Sequence, residues 1–108
     1  MCCMRIKVDE EAKKKILRTA RYIRDQFGEE AGLDFRENIH LVKTLLGKNP
    51  MMGPEESMLN GASVVYRSIM VGHLNKLIYW VNDDVIEIID FWDCRREPNQ
   101  PASMVREN

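Results

Sequence analysis

The chain has 108 residues, of which 44% are hydrophobic and 31% are charged, a length and composition that predict one domain at residues 1–98 and an irregular polar tail at 99–108. Because 16 Lys and Arg are balanced by 17 Asp and Glu, with a formal net charge of −1, no global field draws the protein onto nucleic acid. Its apolar runs are far shorter than the roughly 20 residues that cross a bilayer, and no signal-peptide pattern opens the chain, so we expect a cytoplasmic protein without membrane contact.

The three cysteines do not form a metal motif. Cys2 and Cys3 are adjacent near the N-terminus, and Cys94 closes the last predicted strand, with no Cys-x-x-Cys or Cys/His spacing. We therefore interpret the cysteines as structurally incidental, and we expect neither a metal ion nor a cofactor.

The N-terminal half of the chain predicts a short edge strand and two helices. Residues 4–8 alternate weakly between apolar and polar side chains, as an edge strand does. Asp9 is an expected N-cap of the first helix, Gly28 ends that helix, and a second helix starts at residue 29 or 30 and ends at Gly47. The short connection predicts an antiparallel helical hairpin. The apolar stripes at helical spacing are Ala12, Ile16, Ala20, Ile23 and Phe27, then Ala31, Phe35, Ile39, Val42 and Leu46.

The C-terminal half predicts a loop followed by an antiparallel meander. Residues 49–62 contain two prolines and two glycines and predict a loop, whose methionines we expect to seal a sheet edge. The next segments are rich in β-branched and aromatic residues, and the last two are apolar on both faces, so we expect cover on each side of the sheet. The predicted fold is α+β with the order β-α-α-β-β-β, an antiparallel sheet packed against the N-terminal helical hairpin. The three predicted strands are 64–71, 74–82 and 85–92, separated by turns at Gly72-His73 and Asn82-Asp83-Asp84.

Three pieces of this sequence match a known pattern in order and spacing. They are the hairpin segment ARYIRDQFGEEAGLDFRENI, the helix-end signature LLGKNPMMG and the meander YRSIMVGHLNKLIYWVNDDVIEIIDFWDCRREP. On these pieces, residues 6–98 resemble the RelE/ParE superfamily of toxins from type II toxin–antitoxin modules, and more closely its ParE branch. The resemblance implies a RelE/ParE-like fold and a toxin that is held inactive by a cognate antitoxin, which wraps over the sheet and the helical hairpin.

The resemblance leaves two mechanisms open. RelE-type toxins cut messenger RNA in the ribosomal A site, whereas ParE-type toxins block DNA gyrase without being nucleases. RNA cleavage needs one group that takes the 2′-hydroxyl proton, one that protonates the leaving oxygen, and cations that stabilise the transition state. RelE-type toxins supply these groups as Arg and Lys on the sheet, with a Tyr or a His-Tyr pair near the C-terminus.

The cationic part of this set is present, but its acid–base part is missing. Arg67 matches the second-strand arginine of the family, and Arg95 and Arg96 match the basic pair that follows the last strand. Residues 91–98 contain no His or Tyr. We therefore interpret Arg67, Arg95 and Arg96 as partner-binding residues rather than as part of a catalytic set, although a basic pair can also be a solvated strand end.

The remaining proton-transfer groups are weaker candidates. His40 lies within the second predicted helix, and His73 lies in a predicted turn. Glu87 and Asp90 flank the apolar run of the last strand, where they would repel a phosphate unless arginines offset their charge. Either carboxylate could instead pair with Arg67 across the sheet, which would make that arginine structural.

The sequence thus predicts a ParE-like toxin that inhibits DNA gyrase by protein–protein binding. The alternative is a RelE-like, ribosome-dependent endoribonuclease that uses Arg67, Arg95 and Arg96, with His73 or a carboxylate as its base. A third reading is a non-toxic remnant that only binds its antitoxin. The expected partners are the antitoxin and either gyrase or the ribosome, and without the antitoxin the apolar rim of the sheet and hairpin could pair two copies as a homodimer.

Overall fold

The computed structural model of the chain describes residues 3–59, 61–72 and 74–93. The observed order is the predicted β-α-α-β-β-β, with a single 3-10 turn in the loop before the meander. None of the helices in these residues is long and apolar enough to cross a membrane. The predicted tail at 99–108 lies outside the described residues. The elements are β1 (Arg5–Val8), α1 (Glu10–Phe27), α2 (Glu29–Lys48), the 3-10 turn (Ser57–Leu59), β2 (Arg67–Val71), β3 (Asn75–Asn82) and β4 (Val85–Asp93).

The four strands form one sheet in the order β1-β4-β3-β2. β2, β3 and β4 pair as the predicted antiparallel meander, and Asp83 in the last turn has the positive φ of 56° that this turn needs. β1 is an edge strand, as expected, but it pairs with β4 in parallel, so the sheet is mixed. A parallel neighbour requires a long crossover, and here the helical hairpin lies within that crossover.

The ends of the helices follow from local chemistry. The Asp9 carboxylate accepts a hydrogen bond from the Glu11 N–H at 3.3 Å, which satisfies a free donor at the start of α1. Gly28 alone joins α1 to α2, and its φ of 103° and ψ of 168° are strained for any residue with a side chain. The predicted antiparallel hairpin is therefore formed with the shortest connection.

The end of α2 positions β1. The helix runs one residue beyond the predicted end, to Lys48, so Gly47 lies within its last turn and is buried. The Gly47 carbonyl accepts a hydrogen bond from the Met4 N–H at 2.9 Å, and a Cβ at Gly47 would lie only 3.3 Å from the Met4 carbonyl oxygen. A side chain here would push β1 away from the helix.

The helical hairpin covers one face of the sheet. Both helices contribute to a single core with the inward side chains of the strands, and the Phe35 and Phe91 rings meet edge to face at 6.0 Å. Cover was expected on each side of the sheet, and the helices supply it on this face only, because both pack here. On the second face Ile78 is nevertheless fully buried, and the loop around Glu56 folds beside it onto Lys76. The buried hydrophobic residues of the core are Ala12, Ala20, Phe35, Ile39, Leu46, Val71, Leu77, Tyr79, Ile86, Ile88 and Phe91.

The backbone of the loop, and not its methionines, seals the outer edge of β2. The Glu56 N–H donates to the Tyr66 carbonyl at 2.8 Å, and the Ser68 N–H donates to the Pro54 carbonyl at 3.0 Å. The prediction that the methionines form this seal is wrong, since Met51, Met52 and Met58 expose 61%, 45% and 65% of their surface. Backbone pairing satisfies the edge donors and acceptors, which apolar side chains could not do.

A β-bulge interrupts the pairing of β3 with β4. Ile78 pairs with Asp90 and Tyr79 pairs with Ile88, so Ile89 is an extra residue without a partner. An extra residue bends a strand and redirects the side chains that follow it. Asp90, which follows the bulge, reaches Lys15 of α1 with one carboxylate oxygen.

Candidate functional site

Arg67, the predicted second-strand arginine, binds the loop rather than a carboxylate. It lies half-buried opposite Tyr79, and its Nη1 donates to the Gly53 carbonyl at 2.8 Å. The predicted pairing of Arg67 with Asp90 or Glu87 is wrong, because those residues lie on β4, and β3 separates β4 from β2. One edge of the Arg67 guanidinium therefore has a structural role.

The Tyr79 hydroxyl is the second anchor of this loop. The fully buried ring places its O–H 2.8 Å from the Pro50 carbonyl, to which it donates, and it accepts a hydrogen bond from the Gly53 N–H at 3.0 Å. Burial raises the pKa of Tyr79 above its usual value of 10.0, although the Gly53 N–H and the positive charge of Arg67 act in the opposite direction. The hydroxyl therefore stays protonated, donating one hydrogen bond to the loop and accepting another from it.

Gly53 lies where the loop comes closest to the sheet. A Cβ at this position would be 2.5 Å from the Ser68 carbonyl oxygen, 2.9 Å from an Ile69 side-chain carbon and 3.0 Å from the Tyr79 hydroxyl. Only glycine allows the loop to pass here. The helix-end signature LLGKNPMMG thus contains both loop positions, Pro50 and Gly53, that Tyr79 holds.

Lys76 on β3 is neutralised by a buried carboxylate. Its Nζ lies 2.9 Å from Glu56 Oε1, and the Glu56 side chain is only 3% exposed. Burial alone would raise the pKa of Glu56, but hydrogen bonds from Lys76, the Met58 N–H and Ser68 outweigh it, so the pKa lies below the usual 4.5. The same ammonium lies 5.6 Å from the centre of the Trp92 ring.

Asp90, one of the candidate bases, is occupied by three donors. Lys15 Nζ donates to Oδ1 at 2.7 Å, the Phe91 N–H donates to the same oxygen at 2.8 Å, and Trp92 Nε1 donates to Oδ2 at 3.0 Å. These three hydrogen bonds hold the carboxylate in place. Asp90 therefore links α1 to the end of β4, and its oxygens are not available to accept a proton from a substrate.

The other candidate bases lie apart from this network. Glu87 accepts a hydrogen bond from Asn82 Nδ2 at 2.8 Å. His40 is exposed on the surface of α2, which agrees with the predicted helix-surface position. His73, Arg95 and Arg96 lie outside the described residues. The structure therefore does not gather Arg67, Glu87 and Asp90 into one catalytic cluster.

Sequence reasoning missed Lys15, Glu56 and Lys76. Together with Asp90 they form the two shortest ion pairs of the described residues, Lys15–Asp90 and Lys76–Glu56. Glu56 lies in an irregular loop, where no periodic pattern marks a buried side chain. Pro50 and Gly53 of the helix-end signature could have marked the loop segment that is anchored to the sheet, but nothing in the sequence indicated that Tyr79 binds it. No group of three or more His, Cys, Asp or Glu in the described residues could hold a metal ion.

A solved structure with the same architecture comes from a toxin–antitoxin system. A chain of the "Chromosomal ParDE TA system from P. aeruginosa" superposes with a TM-score of 0.68 at 14% identity, covering 84% of this chain and 96% of that one. At this identity the likeness supports the fold alone. No curated protein sequence matches this chain at a significant level.

A family model gives the assignment that the fold alone cannot. The model described as "ParE toxin of type II toxin-antitoxin system, parDE" matches residues 6–98, which include every described strand and helix except the first residue of β1. The predicted resemblance to the ParE branch is thereby confirmed. The chain belongs to the ParE toxin family of type II toxin–antitoxin systems.

Proposed function

We propose that the protein is a bacterial, cytoplasmic toxin that inhibits DNA gyrase by protein–protein binding and is neutralised by a cognate antitoxin. The observation that carries this proposal is the state of the cations on and beside the sheet. Arg67 donates to Gly53, Lys76 is paired with Glu56, and Lys15 is paired with Asp90. Cations that already have partners within the protein are poorly suited to stabilise a phosphorane-like transition state.

The state of the acid–base groups supports the same proposal. The Tyr79 hydroxyl is buried, bonded on both sides and shifted to a higher pKa, so it is a poor proton acceptor for a substrate. Asp90 already accepts three hydrogen bonds. Residues 91–98, where RelE-type toxins carry their Tyr or His-Tyr pair, contain neither residue type.

The proposed partner contacts are Arg95 and Arg96, with a contribution from the edge of the Arg67 guanidinium that does not bind Gly53. The basic pair follows β4 directly in sequence, and the binding role assigned to it requires no proton transfer. The antitoxin is proposed to cover exposed apolar side chains on the rim of the sheet, among them Val65, Met70 and Leu74, which expose 55%, 45% and 40% of their surface. Burying this rim would explain how one partner neutralises the toxin.

The decisive experiment assays one preparation of the full chain against both targets. Gyrase supercoiling and A-site cleavage on programmed ribosomes are measured with the wild type, with an Arg95→Ala/Arg96→Ala variant and with Arg5→Ala, an exposed arginine on β1, as the control. We expect inhibition of supercoiling by the wild type and by Arg5→Ala, at least about tenfold weaker inhibition by the double variant, and intact messenger RNA. Codon-specific cleavage that is lost in Arg67→Ala would establish the endoribonuclease instead.

The antitoxin half of the proposal is tested by coexpression. We expect growth arrest when the chain is induced alone and relief when the small open reading frame beside its gene is expressed with it. Binding to that partner without any growth arrest would identify a non-toxic remnant. Light scattering of the isolated chain, with and without the partner, tests whether the apolar rim pairs two copies, and a dimer that the partner dissolves is the expected result.

A further inference from the structure

Methionines are concentrated on one exposed part of the surface. Four methionines lie between residues 51 and 70, on the loop before β2 and on β2 itself. Met51, Met52, Met58 and Met70 expose 61%, 45%, 65% and 45% of their surface. Met4, by contrast, is half-buried and packs against the core. Exposed thioethers are the ones that an oxidant reaches first.

Met52 and Met70 lie together at one hollow. It has a volume of about 450 Å³, and it lies between the loop and β2, where Lys76 of β3 also lines it. Met51 and Met58 do not line this hollow. Two thioethers that are distant in sequence therefore share one exposed site.

Lys76 offers this site a hydrogen-bond donor. In the register of β2 and β3, Met70 is directly opposite Lys76, so the two side chains lie on the same face of the sheet. A lysine ammonium has three N–H donors. Within the described residues Lys76 Nζ makes one hydrogen bond, to Glu56 at 2.9 Å. An N–H therefore remains for a further acceptor at Met70, where a thioether sulfur is only a weak one.

We propose that Met70 is a site of reversible oxidation, at which a peroxide converts the thioether to a sulfoxide whose oxygen accepts a hydrogen bond from Lys76. The sulfur gains one oxygen atom and loses two electrons, the O–O bond of hydrogen peroxide breaks, and the second oxygen leaves with both protons as water. Met52, which lines the same hollow, is oxidised in the same way. Because Met70 is 45% exposed, its new oxygen does not have to enter the core.

The modification changes the polarity of the rim that the antitoxin is proposed to cover. Met70 belongs to that rim together with Val65 and Leu74. A sulfoxide replaces an apolar contact with a polar group, and an apolar partner offers no donor for the lone pair that Lys76 leaves free. Burying a polar atom without a partner disfavours binding. This consequence rests on the function proposed above, whereas the oxidation site itself does not.

The first test maps oxidation on the full chain. The purified protein is treated with hydrogen peroxide, and each methionine is followed over time by peptide mass spectrometry. We expect Met52 and Met70 to be oxidised at least about fivefold faster than Met4, and methionine sulfoxide reductase to restore their original masses. The NMR signal of the Lys76 Cε–H group should shift on oxidation of the wild type and stay in place in Met70→Leu.

Matched variants assign the effect on binding to Met70. Met70→Leu keeps an apolar side chain that peroxide does not oxidise, and Met70→Gln carries a permanent polar oxygen. Met58→Leu and Met58→Gln are the controls, because Met58 is 65% exposed and does not line the hollow. Peroxide should weaken binding of the small protein encoded beside the gene at least about threefold in the wild type and in Met58→Leu, but not in Met70→Leu. Met70→Gln, unlike Met58→Gln, should show this loss without peroxide.

Three results would overturn the inference. These are oxidation of Met70 as slow as that of Met4, a Lys76 signal that does not move, or a peroxide effect on binding that persists in Met70→Leu. A neighbouring protein that fails to bind the unoxidised chain would instead refute the antitoxin half of the proposed function. The oxidation map and the Lys76 signal would then still decide the site, and neither depends on the supercoiling assay.

Discussion

The most informative stability test is to replace Tyr79 with phenylalanine. The substitution keeps the buried ring and deletes only the hydroxyl, which binds the Pro50 carbonyl and the Gly53 N–H. Pro50 is half-buried, so its carbonyl can turn to water, at a cost of about 1 kcal/mol for the lost hydrogen bond. Gly53 is buried, and its orphaned N–H costs a further 1–3 kcal/mol or so. The expected loss is therefore about 2–4 kcal/mol.

Denaturant and thermal unfolding measure this loss. For a domain of this size, 1 kcal/mol lowers Tm by roughly 4 °C, so Tyr79→Phe should unfold roughly 8–16 °C below the wild type. Tyr66→Phe is the matched control. Tyr66 is half-buried, its carbonyl accepts a hydrogen bond from the Glu56 N–H of the loop, and its hydroxyl has no hydrogen bond within the described residues. If Tyr79→Phe falls within about 0.5 kcal/mol of this control, the hydroxyl does not anchor the loop.

The same hydroxyl predicts a dependence of stability on alkaline pH. The pKa of Tyr79 is raised in the folded state, so folding favours the protonated form. Its contribution is complete below pH 10.0, the ordinary tyrosine pKa, and is lost as the pH rises through the raised value. Free energies of unfolding between about pH 9 and 11 should fall more steeply in the wild type than in Tyr79→Phe. Parallel curves would contradict the assigned direction of the shift.

Three further perturbations test the remaining contacts. Gly53→Ala should destabilise the fold by about 1–3 kcal/mol, since its Cβ would lie 2.5 Å from a backbone oxygen that cannot rotate away, and a denaturation midpoint equal to the wild type would refute this packing. Glu56→Gln should lower stability by about 1–3 kcal/mol at pH 7. Because the pKa of Glu56 is lowered from 4.5, that difference should shrink as the pH falls below 4.5 and through the lowered value, and a difference that stays constant as the pH falls below 4.5 would be the contrary result. A double-mutant cycle of Lys15→Met with Asp90→Asn should give a coupling free energy of about 0.5–1 kcal/mol, the value for a partly exposed ion pair. Zero coupling would mean that the 2.7 Å contact does not contribute to stability.

The hairpin was predictable because its signals are local. Asp9 accepts a hydrogen bond two residues ahead of it, and Gly28 provides the positive φ that joins the helices. The apolar stripes lie at a spacing that only a helix turns into one face. Four of the five stripe residues of α1 are buried or half-buried, whereas Phe27, at the helix end, is 65% exposed.

The sheet was less predictable because pairing is not local. Period-two patterns located the meander and its turn at Asp83, but they contain no information about which strand lies beside β1 or in which direction. The bulge at Ile89 was hidden for a similar reason: an extra residue in a continuous apolar run leaves the composition of the strand unchanged. The pairing of β1 with β4 and the position of the bulge both depend on the register between separate strands, which a local pattern does not contain.

Prediction of the site was limited by loop residues whose partners are distant in sequence. The sequence pattern singled out Arg67, but its Gly53 partner is 14 residues away in an irregular loop. Glu56 and Lys76 are separated by 20 residues, and only the fold shows that this loop returns over the sheet. Burial of a loop carboxylate follows from tertiary structure and has no signature in composition.

The internal pairing of charges favours binding over RNA cleavage. If Lys76 moved towards a phosphate, the Glu56 carboxylate, 3% exposed, would lose its cation. Removing one partner of a buried ion pair costs about 3–5 kcal/mol, which would subtract from whatever stabilisation the lysine gave a transition state. Turning Arg67 Nη1 towards a phosphate would likewise release the Gly53 carbonyl and loosen the loop. A protein partner that docks on the outer surface makes no such demand, since it leaves every internal pair in place.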